Sequence, residues 1–192
     1  VLKIANLTVK RTDRTILKDV NLVLEAGVGH GLVGVNGSGK TTLMAAVLGV
    51  LPFLGSVDRN YTPHMLGVIW QDRGLPLNVS VRDWLKYLSD LYQSPVDDDL
   101  LKRFGVDLSA RPIRTLSGGQ QQKIAVVSAF FHKPKMLILD EPTVALDEES
   151  RMNFIDLCSE RMKNGSTVLL SSHNPNDVAG VATSITNLEL LK

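Results

Sequence analysis

An α/β fold with a mainly parallel sheet is what this sequence predicts, on three observations. Short apolar runs, among them Gly31–Val35, Met136–Leu139 and Val168–Leu170, read as strands. Helical patterns lie between them, at Val81–Tyr92, Asp97–Phe104, Gly119–Phe131 and Glu148–Lys163. The first apolar run passes straight into a glycine-rich loop and then a helix.

In chain order, Leu2, Ile4, Leu7 and Val9 are spaced by polar residues, as in a half-buried strand, and Val20, Leu22 and Leu24 repeat the pattern. Gly31–Val35 leads into the glycine-rich loop, after which Leu43–Leu51 reads as a helix that stops at Pro52. Further strands are expected at Met65–Trp70, Lys135–Leu139, Thr167–Ser171 and around Ser184–Leu190. The helix-rich stretch near 75–130 reads as a subdomain inserted into the α/β core, within a single domain spanning 1–192.

Composition narrows the function classes. Twenty-one basic against 20 acidic residues leave a net charge of +1, which gives no electrostatic reason to expect nucleic acid as a partner. With 44% hydrophobic residues the chain can bury a core, which excludes a disordered segment. Cys158 stands alone, so no intrachain disulfide forms, and a reducing compartment is expected. The longest apolar stretch, Ala45–Leu54, falls far short of the ~20 residues of a membrane-spanning helix. If the protein serves a membrane, it does so from outside the bilayer.

The strongest signal is Gly34-Val35-Asn36-Gly37-Ser38-Gly39-Lys40-Thr41-Thr42. Glycines let the chain approach a phosphate tail closely, and backbone N–H groups at the start of the next helix converge on its oxygens. Lys40 would reach the β- and γ-phosphates, and the Thr41 hydroxyl would help hold Mg²⁺. Other polar residues fall just past strand ends: Gln71 after Gly67–Trp70, Asp140-Glu141 after Met136–Leu139, and His173 after Val168–Ser172. Open parallel sheets bind ligands outside those ends. Asp140 is then expected to hold Mg²⁺ through its water shell, Glu141 to polarise an attacking water, and His173 to steady the γ-phosphate.

A second anion-binding helix start is Leu116-Ser117-Gly118-Gly119-Gln120. Ser117 is a good N-cap, and the glycines leave helix N–H groups bare. One nucleotide at the first cradle leaves this one without a ligand. A two-fold dimer in which each cradle completes the other subunit's site resolves that.

Together with Met136-Leu137-Ile138-Leu139-Asp140-Glu141-Pro142-Thr143 and Ala145-Leu146-Asp147, these motifs stand in an order and spacing that resembles the ATP-binding-cassette (ABC) ATPases over essentially the whole chain. The resemblance implies a P-loop NTPase core with a small antiparallel β subdomain and an inserted helical subdomain. It implies a head-to-tail dimer, with itself or another cassette, around two ATP molecules. Each ATP would be contacted by the partner's Ser117, Gly118, Gly119 and Gln120. Asp147 would help couple the two sites, and Gln71 would link Mg²⁺ and the attacking water to the part that touches an integral-membrane subunit. The expected location is the cytoplasmic face of the cell membrane.

The sequence departs from the family in three places. No aromatic residue precedes Phe53, and Arg11 stands where family members carry one that stacks on adenine; a guanidinium plane can stack on a base too. The stretch between Lys40 and Gln71 is short, which trims the side sheet, and the chain ends soon after its last strand, without room for a regulatory domain. Compactness and the short Gln71–Ser117 insertion point, by analogy, to export. A soluble ABC ATPase acting on the ribosome or DNA, or a cassette with little hydrolysis, is the alternative. A single cassette without a heptad run or basic face favours transport.

Four of the five Trp and Tyr residues (Trp70, Trp84, Tyr87, Tyr92) lie between 70 and 92. They suit either a membrane-subunit contact or the core of the helical subdomain, where Trp84, Leu88 and Leu91 share helical spacing. Gly74-Leu75-Pro76-Leu77 is a second apolar candidate for that contact. Asp97-Asp98-Asp99 reads as a helix start, and His30, His64, His132 and Cys158 as structural.

Overall fold

The protein is described by a computed structural model covering residues 2–12 and 14–191. Its elements are β1 (Leu2–Arg11), β2 (Arg14–Leu24), β3 (Gly29–Val33), α1 (Lys40–Val47), β4 (Leu54–Arg59), β5 (Leu66–Ile69) and α2 (Val81–Tyr92). Then come α3 (Asp98–Phe104), α4 (Gly118–Phe130), β6 (Met136–Asp140), α5 (Glu148–Lys163), β7 (Thr167–Ser171), α6 (Pro175–Val181) and β8 (Ser184–Asn187).

Two sheets result. One is parallel, in the order β5-β6-β7-β3-β8, and the other is antiparallel, in the order β2-β1-β4. Because strand side chains alternate between faces, β6 sends Leu137 and Leu139 to one core and Met136 and Ile138 to the other. Leu137, Leu139, Val168 and Leu170 pack with the helices α2 to α5, while Met136, Ile138, Leu169 and Leu32 pack with α1 and the antiparallel sheet. All of these side chains are buried. Truncating one, Leu139→Ala for example, would cost about 2–5 kcal/mol.

Helices α2 and α5 and strand β7 begin and end where the pattern places them. Caps explain the starts: Ser80 accepts from Asp83 N–H at α2, Asp97 from Asp99 and Leu100 N–H at α3, and Asp147 from Ser150 N–H at α5. Elsewhere the structure corrects the sequence. Helix α1 starts at Lys40 and ends at Val47, before Gly49, rather than running from Leu43 to Leu51. The last strand stops at Asn187 and gives way to a 3-10 turn.

Strand β4 and helix α6 were not anticipated. The former is short and mostly exposed, so it has no apolar signature, and only its pairing to β1 makes it a strand. The latter is announced by Asn174 as N-cap with Pro175 in the first turn. Leu91 does not face the core: it is 44% exposed, and Leu85 takes the buried position beside Leu88. Trp84 is half-buried and donates to Ser128 Oγ, whereas Tyr87 stacks on it from the exposed side.

Candidate functional site

Parallel pairing of β5, β6, β7 and β3 puts their carboxyl ends at one edge of the sheet. The loop after β3 wraps the start of α1. Its geometry demands glycine: Gly34 and Gly39 have φ of 149° and 107°. A Cβ at Gly39 would also lie 2.7 Å from the Leu17 side chain. Lys40 Nζ folds back on its own loop, donating to the carbonyls of Gly34 at 2.7 Å and Val35 at 3.3 Å. Ser38 Oγ is buried without a hydrogen-bond partner among the described residues.

Strand β6 delivers Asp140 and Glu141, both buried. Asp140 Oδ2 accepts from Thr41 Oγ1 at 2.5 Å, and its Oδ1 from Ser171 Oγ at 2.5 Å, which ties the helix after the loop to β6 and β7. Glu141 has a left-handed φ of 51°, and its N–H donates to Ser171 Oγ. That unusual backbone turns the carboxylate toward the end of β7, where Oε2 accepts from His173 N–H at 3.1 Å. Oε1 lies 3.0 Å from His173 Nε2 without forming a hydrogen bond, so a buried acceptor is left for another donor. Burial raises the Glu141 pKa above the usual glutamate value, against the lowering pull of the His173 N–H and charge and of Lys40.

A cavity of about 390 Å³ collects these groups: Asn36, Gly37, Gly39, Lys40, Thr41, Thr42, Gln71, Asp140, Glu141 and His173 line it, together with Arg11 and Ile16. The predicted phosphate loop, amide, carboxylates, imidazole and Arg11 are thus brought to one place. Gly34, Val35 and Ser38 shape the loop from outside that lining. Ser117, Gly118, Gly119, Gln120 and Asp147 are not brought there. Ser117 and Gln120 close a capping box at the start of α4. Asp147 caps α5 and pairs with Lys123 Nζ at 2.7 Å, contacts that hold its carboxyl well below the usual range.

Three contributors escaped sequence reasoning. Ser171 was legible only as a lone hydroxyl closing an apolar strand, and Ile16 carries no chemical signal. Glu189, whose carboxylate accepts from Val35 N–H at 2.6 Å, is remote in sequence.

The cavity suits a magnesium-bound nucleoside triphosphate. Thr41, Gln71 and Asp140 are oxygen donors of the kind Mg²⁺ prefers. Among the described residues no three His, Cys, Asp or Glu side chains form a metal cluster. A divalent ion held by these residues would neutralise phosphate charge. Beside it, Gln71 and Trp70 also line a second cavity of about 620 Å³ with Ala45, Val50 and Leu51, where Val50 is 64% exposed.

Residues 17–144 match the family profile described as ABC transporter. The chain is 31% identical to the uncharacterized ABC transporter ATP-binding protein YybJ of Bacillus subtilis, over 93% of this chain and 88% of that one. It is 34% identical to the zinc import ATP-binding protein ZnuC of Roseobacter denitrificans, over 87% of this chain and 67% of the other. Among solved structures, an ATP-binding cassette captured as a dimer in a post-hydrolysis state, with ADP and phosphate, superimposes with a TM-score of 0.80. That likeness, at 22% identity over 94% of this chain and 91% of the other, is one of fold.

Proposed function

The chain belongs to the ABC transporter family as an ATP-binding ATPase, and we propose that it forms one ATP-binding cassette. In this reading, two cassettes close around two ATP and drive a membrane subunit. The observation that carries the hydrolytic part is the buried Glu141 carboxylate, whose Oε1 accepts no hydrogen bond and meets His173 Nε2 at 3.0 Å, in the lining of the same cavity as Lys40, Thr41 and Asp140.

ATP is seated by the loop N–H groups and the start of α1, while Lys40 turns from its loop carbonyls to the β- and γ-phosphate oxygens. Thr41, Asp140 and Gln71 would hold Mg²⁺, which neutralises charge on those oxygens. Glu141 accepts the proton of the water that attacks the γ-phosphorus, and its raised pKa makes it the stronger base. His173 keeps Glu141 oriented and faces the γ-phosphate. Arg11 and Ile16 line the same cavity, where they would border the base. The α4 start, with Ser117, Gly118, Gly119 and Gln120, faces the second cassette's nucleotide, and Asp147 lies near that seam.

The groove bordered by Val50, Leu51 and Trp70 adjoins Gln71 and gives the membrane subunit an apolar seat coupled to the site. No helix among the described residues is long and apolar enough to cross a membrane. From its family membership we place the protein at the cytoplasmic face of the membrane, held there by that subunit. The relative named for zinc import removes the basis for reading export from the chain's compactness, and the proposal carries no direction.

The test is Glu141→Gln. The variant is expected to bind ATP and persist as a dimer by light scattering, with turnover down at least ~10²-fold. Wild-type turnover would contradict the role of Glu141. With Mg-ATP present, the same variant should retain a polytopic membrane protein from detergent-solubilised membranes, and recovery of ribosomes or DNA instead would replace the transport reading.

A further inference from the structure

His173 and Glu141 must hold one geometry, yet the His173 side chain is 51% exposed, so packing does not fix it. Its position is set by the backbone of the loop after β7. That loop is anchored through Ser172, whose Oγ accepts from Asn174 N–H at 3.1 Å and donates to Asp177 Oδ2 at 3.1 Å. The same Oδ2 accepts from Thr143 Oγ1 at 2.6 Å, two residues beyond Glu141. A single carboxylate oxygen therefore ties the turn that carries Glu141 to the turn that carries His173.

Asp177 is 1% exposed, and a carboxylate so buried is retained only when its charge is compensated. Arg151 of α5 supplies that charge, 2.7 Å from the other oxygen, and is itself gripped from the solvent side by Glu148. Both Asp177 oxygens are thus engaged by protein donors from three different parts of the chain, which makes the knot stiff. We propose that Asp177 is a positioning residue for hydrolysis, acting through Thr143 and Ser172 to fix the Glu141–His173 pair, with Arg151 holding its other oxygen in place. This rests on the reading of Glu141 as the base.

Because Asp177→Ala would remove at once the buried acceptor of Thr143, Ser172 and Arg151 and could unfold the chain, the test cuts the two hydroxyl ties instead. Thr143→Val and Ser172→Ala leave the Asp177–Arg151 pair intact. Each is expected to lower kcat about 10-fold, as misplacement of a reacting group does, with KM for ATP within about twofold. Thr143→Ser, which keeps the hydroxyl, is expected to restore kcat. Glu148→Gln, altering only the exposed partner of Arg151, should leave turnover unchanged.

On a Glu141→Gln background, read by single-turnover hydrolysis, the two hydroxyl substitutions should add nothing. A multiplied loss there would mark a general structural effect and overturn the proposal. So would wild-type kcat in both hydroxyl variants while Glu141→Gln is inactive. Full turnover in Glu141→Gln alone overturns the base assignment instead, and the two failures are thereby told apart.

Discussion

The chain has two glycine-rich helix starts, one at α1 and one at α4, and they solve different problems with the same residue. At α1 the glycines take left-handed dihedrals, no side chain caps the helix, and the loop opens onto a cavity shared with three other strand ends. At α4 the first turn is closed on itself, because Ser117 accepts from Gln120 N–H and the Gln120 side chain accepts from Ser117 N–H. The expectation of bare N–H groups there holds less fully than at α1. Gly119 also has a packing duty: a Cβ at that position would lie 2.8 Å from the Ala145 carbonyl oxygen. Glycine at α1 supplies the left-handed turns of a loop that lines the cavity, whereas glycine at α4 seats the helix on the loop that leads to Asp147.

Lys40→Ala tests the first half of that contrast and has the largest expected effect. Lys40 is buried and bonded only to carbonyls of its own loop, so its charge is available to a phosphate tail. Its loss should weaken ATP binding by about 2–3 kcal/mol, roughly 30- to 150-fold. Isothermal titration with Mg-ATP reads this directly, and an unchanged Kd would mean the loop holds something other than phosphate.

Paired substitutions at α4 test the second half. Gly119→Ala meets backbone, which cannot swing away, and should destabilise the fold by about 1–3 kcal/mol in chemical denaturation. Gly118→Ala meets only the Arg73 guanidinium at 3.5 Å and Ala145 Cβ at 3.9 Å, which are ordinary contacts. It should change stability by no more than about 0.5 kcal/mol. If this face meets a second cassette, Gly118→Ala should still weaken ATP-dependent dimerisation in the Glu141→Gln protein. Dimers of undiminished stability would confine α4 to a role within its own chain.

The division between what was legible in the sequence and what was not follows the range of the interactions. Strands β6 and β7 announce themselves as short apolar runs buried throughout, and helices α2 and α5 by the helical spacing of the apolar residues on their one buried face. The strand ends carry their polar residues at positions a reader can count, which is why the cavity lining was largely anticipated. Strand β4 went unseen because it is mostly exposed and is held by pairing with β1, not by burial of its own side chains. Leu91 was misplaced because helical spacing alone leaves two neighbouring faces to choose between. Asp177 resembles any acid in a first helical turn; only the folding together of loops thirty residues apart makes it a hub.

The smallest effect concerns pH, and it separates the two regions by the opposite fates of their carboxylates. Burial raises Glu141 above the ordinary value of 4.5, whereas Lys123 and the α5 start hold Asp147 below the ordinary 3.8. Glu141 works as the carboxylate, so kcat should climb with pH through its raised pKa and level off above it. The protonated form of Glu141 is the one favoured by folding, so its contribution to stability is full below 4.5 and lost as pH rises through the raised value. Asp147 has the reverse sense: its contribution is present above 3.8 and lost only as pH falls through its depressed value. Mild acid should therefore silence hydrolysis while the Lys123–Asp147 link stays closed. In a pH profile of kcat, the acid limb should lie above 4.5. Asp147→Asn should leave its position unchanged. A limb at or below the ordinary glutamate value would assign the proton transfer to a group other than Glu141.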